Sequence, residues 1–215
     1  MTAELTMNQI IHAAVRRDVA RTEAALRALA DGDGERAAAI SRGWSHLVAM
    51  LREHHQQEDA LVWPYLRSEG VDGSLLAAME SEHQALADAL TRGTEAVASV
   101  VAEPTRAQAV AAAEVVAHSG QVIGDHLDHE ERDIEPLIRG RAGSPGWKAV
   151  ERKFRAGGAT RAGNMMAWLQ DGATPQVRTA LRQTIPPPVL FVLVAAFGRG
   201  YRKNVAPVWA DAPVR

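Results

Sequence analysis

The chain contains no cysteine. That absence excludes disulfides, zinc ribbons, thiolate-held iron–sulfur clusters and a cysteine nucleophile, so any metal must sit on nitrogen and oxygen ligands. Lysine is missing from the first 140 residues, which hold 12 arginines against 23 acidic residues, a net of −11; residues 141–215 hold 12 Lys+Arg against 3 acidic residues, a net of +9. This shift predicts a boundary near Gly140. No apolar run is long enough to span a bilayer, the longest being VLFVLVAAF at 189–197. The first residues, MTAELTMNQIIHAAVRRD, lack a basic start, an apolar block and a cleavage site, so no secretory signal is expected and the cytoplasm is the expected location. There is no strand pattern.

Helical patterns fill the acidic part. Thr6-Met-Asn-Gln9 is a capping box, in which threonine and glutamine side chains satisfy unpaired backbone N–H groups, and the helix it opens should stop at Asp31-Gly32. A second helix is predicted from about Glu35 to Gly70 and a third from near Ser74 to before Glu103-Pro104. The fourth should run from a second box, Thr105-Arg-Ala-Gln108, to Arg139-Gly140. Long helices joined by short connectors predict an all-α, up-down-up-down four-helix bundle over residues 1–140. Residues 141–215 are predicted to add a basic helical extension that packs on the bundle and offsets its charge.

A repeat stands inside these helices. HHQQEDALVWP at 54–64 and HLDHEERDIEP at 126–136 each place a glutamate four residues and a proline ten residues after a histidine. In the second helix Trp44, Leu47, Leu51, His54, Glu58, Leu61 and Tyr65 recur at steps of three and four, the period of a buried seam. The fourth repeats this through Val116, Ile123, His126, Glu130, Ile134 and Leu137; His12 and His83 lie on the seams of the first and third. His12 to His54 is 42 residues and His83 to His126 is 43, which reads as two matching helical hairpins. Two buried carboxylates near each other cost several kcal/mol unless a cation compensates them. Imidazole plus carboxylate without thiolate suits iron, manganese or zinc. The metal candidates are therefore His12, His54, Glu58, His83, His126 and Glu130, with a metal-free buried hydrogen-bond network as the bland alternative.

The wording of the two repeats resembles the hemerythrin-like (HHE) family of non-haem di-iron four-helix bundles over roughly residues 5–140. The resemblance implies His12, His54, His83 and His126 as terminal ligands, Glu58 and Glu130 as bridges, and two iron ions linked by an oxo or hydroxo bridge. It also implies a small oxidant as ligand: O₂, hydrogen peroxide or nitric oxide. The chain departs from the oxygen carriers, which place a second histidine four residues after that of the third helix; here that position is Ala87. An iron left open beside His83 suits peroxidase-like, catalase-like or nitric-oxide chemistry better than O₂ storage. Glu131 competes with Glu130, since some members put the last carboxylate five residues after its histidine, and Glu80, one turn before His83, is a further candidate beside plain solvent exposure.

His55, His129 and His46 fall off the seams and are predicted to be solvated, His118 to be packed or to support His126, and Trp63 and Tyr65 to be core aromatics. Pro64 and Pro136 should bend their helices just beyond the glutamates. In the extension, one helical stretch is expected from Ser144 to about Gln170 and another from Thr174-Pro175. No nucleic-acid-reading motif is interleaved with its basic residues, membrane attachment is not expected, and a homodimer or partner-protein contact through the extension stays open. Three functional readings follow: a di-iron protein that binds or reduces an oxidant, an iron- or oxygen-sensing module signalling through its C-terminal segment, and a structural bundle holding zinc.

Overall fold

The computed structural model describes residues 5–210, and no strand occurs among them. Helix α1 (Met7–Arg27) opens with a closed capping box: Thr6 Oγ1 accepts from the Gln9 N–H at 3.3 Å and Gln9 Oε1 from the Thr6 N–H at 3.2 Å. Asp33 caps α2 (Gly34–Gln57), which passes through a π-turn (Glu58–Val62) into α3 (Trp63–Ser68). Asp72, two residues ahead of the expected start, caps α4 (Gly73–Ala102). Thr105 caps α5 (Arg106–Asp133) through the Gln108 N–H, and a break at Ile134 leads into α6 (Glu135–Arg139).

The π-turn changes which residues face inward. A straight helix predicts Leu61 and Tyr65 on the seam, yet Val62 and Leu66 are the buried residues and Leu61 and Tyr65 are half-buried. Pro64 carries no N–H for the carbonyl four residues back, and the Trp63 N–H reaches five residues back to the Glu58 carbonyl. One extra residue is thereby taken up, and everything after Glu58 shifts phase by one position.

Helix α1 packs against α2 and α5, and α4 packs against the same two. The apolar stripes of these four helices meet in a core built on Ile10, Val15, Trp44, Leu47, Leu51, Leu86, Val116 and Ile123. Helix α4 approaches α2 closely because residue 93 is glycine: a Cβ there would lie 2.5 Å from Trp44 Cζ2.

The extension comprises α7 (Pro145–Phe154), α8 (Gly158–Gln170), α9 (Pro175–Thr184), α10 (Pro187–Val192), a second π-turn (Leu193–Phe197), α11 (Arg199–Asn204) and a 3₁₀ turn (Ala206–Trp209). The expected single helix from Ser144 to Gln170 is split at Gly157-Gly158, where Gly158 takes a φ of 79°. No single helix of the described residues is long and apolar enough to cross a membrane. Helix α9 and residues 187–197 pass such a test only together, and they are bent by 105°.

Helices α8 and α9 lie on α1, and the Ala206–Trp209 turn lies on α2. Trp168, Leu169, Leu181 and Trp209 join the same core, so apolar burial does much of the docking. Cross-contacts of the expected polarity include Arg161 with Glu53 and Arg141 with Glu69, while Arg21 of α1 pairs in the opposite sense with Asp171. Beneath them Asp18, fully buried, accepts from Arg17 Nε at 2.8 Å, Arg21 Nη1 at 3.3 Å and Trp168 Nε1 at 2.7 Å.

His46 belongs to this contact rather than to the solvent: its ring lies 5.8 Å from Trp168 and 5.1 Å from Tyr201. Burial holds its pKa below the usual 6.5, against the pull of Asp18 and alongside the push of Arg17. The unfolded chain therefore binds a proton that the fold resists, so stability is fully present above about pH 6.5 and is lost as pH falls below it. Thermal melts from pH 8 to pH 5 should show this loss, and His46→Phe should make the profile less steep.

Candidate metal centre

The six predicted residues converge between the four long helices. His12 Nε2 lies 3.2 Å from His54 Nε2 and 3.3 Å from Glu130 Oε2. Glu58 turns one oxygen to His54 Nε2 at 3.2 Å and the other to His83 Nε2 at 3.5 Å, so it faces both halves of the cluster. His126 Nε2 is 3.9 Å from Glu130 Oε2, and the other Glu130 oxygen accepts from Asn8 Nδ2 at 2.8 Å. Asn8 also donates at 3.4 Å to Glu135, a further buried carboxylate.

Three histidines are held from behind by carboxylates, each at 2.8 Å from Nδ1: Glu131 on His12, Asp59 on His83 and Glu82 on His126. A carboxylate accepting the Nδ1 proton fixes the tautomer that leaves the Nε2 lone pair pointing inward. This arrangement separates Glu130 from Glu131. Glu130 is buried at the centre, whereas Glu131 stands behind His12 and is tied to Arg16 at 2.7 Å. Asp59 also accepts from Trp63 Nε1 at 3.0 Å, which gives that core aromatic a place in the support of His83.

Two off-seam predictions are corrected here. His55 is not solvated but 6% exposed, its ring stacked on His83 with centroids 4.1 Å apart and 18° between planes. It lies 5.2 Å from the ring of His126. His129 is half-buried and shares Glu82 with His126 through a 2.7 Å contact. His118, by contrast, is exposed, and Glu80 is exposed and pairs with Arg67, so neither supports the cluster. The candidate donor atoms thus form two groups, each with its atoms within 4.8 Å of one another: His12, His54, Glu58 and Glu130 in one, His55, His83 and His126 in the other.

The electrostatics are those of a place made for positive charge. Burial opposes charge on His12, yet Glu130 and Glu131 outweigh it and push its pKa up to about 9. Burial together with the neighbouring His12 drives His54 down to about 3, and burial with the surrounding imidazoles holds His55 well below its usual value. Burial and the adjacent Glu130 raise Glu58 well above the carboxylate range. For Glu130 the same burial is outweighed by His12, whose charge, 3.3 Å away, holds it below that range. Protons on His12 and Glu58 thus stand where a cation would bind. His55 Nε2, Glu58 Oε2, His83 Nε2, His126 Nε2 and Glu130 Oε2 are all buried without a hydrogen-bond partner. An unsatisfied buried polar atom costs about 1–3 kcal/mol, so five inward-facing ones are a donor set suited to metal rather than a closed polar network.

Inward imidazoles and carboxylates carried by four long helices define an all-α metal-binding protein. The family model described as the hemerythrin HHE cation binding domain matches residues 10–138, and the chain belongs to that family. Comparisons with curated proteins and with solved structures give no match.

Proposed function

We propose that this chain is a di-iron protein that binds or reduces a small oxidant, namely peroxide, O₂ or nitric oxide, within an up-down-up-down bundle of its four long helices. The observation that carries this reading is the set of buried, unpartnered oxygen and nitrogen atoms. His12 and His54 would hold one iron and His83 and His126 the other, with Glu58 and Glu130 between them; Glu58 already faces both groups. Residues 1–140 are read as the metal-holding unit, which contains all six, and 141–215 as an extension packed against it.

The iron pair would supply redox equivalents and a Lewis-acidic place for the oxidant. The protein's own part is to fix charge and geometry. Glu131, Asp59 and Glu82 hold their histidines in one tautomer, and Asn8 holds Glu130. Leu51, Val62, Trp63 and Ile123 are buried apolar side chains of the same helices. His12 and Glu58 exchange the protons they hold without metal for cation charge, so loading should release protons.

A second reading, a sensor that signals through its extension, is favoured by one feature: Phe191, 73% exposed, stands with exposed Val189 and Val192 on α10. Elemental analysis and the visible spectrum of aerobically purified protein test the first reading. Iron, near-blue absorption and hydrogen peroxide turnover above that of free iron are expected. Zinc content would support the structural alternative. Iron without turnover, with the extension becoming protease-sensitive only on iron removal, would support the sensor.

A further inference from the structure

The position one turn after His83 is Ala87, which offers no ligand atom. A packed structural histidine would be expected to satisfy its ring nitrogens, but His55 Nε2 is buried and unpartnered. The ring of His55 lies 4.1 Å from that of His83 and 5.2 Å from that of His126, and one nitrogen of each of the three lies within 4.8 Å of the others, a compact three-imidazole group. We infer that His55 is a metal ligand, supplying from α2 the imidazole that α4 lacks and completing the set around His83 and His126. This rests on the two-ion reading above.

Neighbouring helix positions make the arrangement possible. Successive residues point about 100° apart, so the paired histidines cannot both lie on one seam, but they can straddle two adjacent ions. His54 falls in the group with His12, Glu58 and Glu130, and His55 in the other. The consequence reverses the expectation from Ala87: the exchangeable position, where an oxidant would bind, falls on the His12/His54 side.

The test uses the full chain loaded with ferrous iron, then challenged with a chelator. Wild type is expected to retain about two irons per chain and His55→Leu about one, because a site missing one imidazole loses its ion first. Free imidazole added to His55→Ala, and Ala87→His placed in the His55→Leu background, should each return iron content toward the wild-type value. Melting of the metal-free His55→Leu protein separates lost ligation from lost folding, since leucine fills the space and removes an unsatisfied nitrogen; its melting temperature should not fall. A folded His55→Leu protein that keeps both irons would overturn the assignment and leave the two-ion reading standing. Wild type retaining fewer than two irons would overturn the two-ion reading and this inference with it. Failure of both rescues with a folded variant would also count against His55 as ligand.

Discussion

Glu58→Gln is expected to remove metal while raising the stability of the metal-free protein. Glutamine keeps the volume and can donate a hydrogen bond to Glu130, but it offers no charge to a cation. In the metal-free fold Glu58 holds its proton well above the usual 4.5 because of burial and the facing Glu130, whereas the unfolded chain gives that proton up near 4.5. A raised carboxylate pKa means that the fold loses stability as pH rises past 4.5, and the neutral amide escapes this loss. The gain should grow with pH to about 1–3 kcal/mol near neutrality and vanish in acid, in line with neutral replacements of buried charges. Urea melts of apo protein across pH and metal analysis check the two halves. Unchanged iron content would remove Glu58 from the site, and a destabilised apo variant would show that the carboxylate serves the fold.

Asp18→Ala should have the largest effect on stability, about 3–5 kcal/mol, because it leaves the buried Trp168 indole N–H and the half-buried Arg17 without their acceptor. The carboxylate is fully buried and accepts from Arg17, Arg21 and Trp168, the last belonging to the extension. Its loss strands an indole N–H in the interior between α1 and α8. At about 2–4 °C per kcal/mol for a chain of this size, the melting temperature should fall on the order of 10 °C. Asp18→Asn, which can keep the Trp168 bond, should lose less. Limited proteolysis should cut first within residues 141–210 of the alanine variant. A loss under about 1 kcal/mol would mean that Asp18 is dispensable to docking, which apolar burial of Trp168 and Trp209 would then carry alone.

Helical phase alone determined the six inward residues His12, His54, Glu58, His83, His126 and Glu130, because steps of three and four residues put a side chain on the same stripe wherever the helix is regular. The structure brings all six together. The repeated His–Glu–Pro wording and the missing cysteines likewise point to nitrogen and oxygen ligation from the sequence alone.

Tertiary structure decided what phase cannot express. His55 sits one residue, about 100°, off the stripe and is buried only because α4 and α5 bring His83 and His126 against it. Leu61 and Tyr65 lost their predicted places to Val62 and Leu66 because the π-turn before Pro64 absorbs an extra residue. The choice of Glu130 over Glu131 as the central carboxylate, and the use of Asp59 and Glu82 behind their histidines, depend on which helix faces which. A single helix's periodicity reports how far a residue points from its own stripe; it carries no record of the neighbour across the gap, and that neighbour is what gives His55, Glu82, Asp59 and Asp18 their partners.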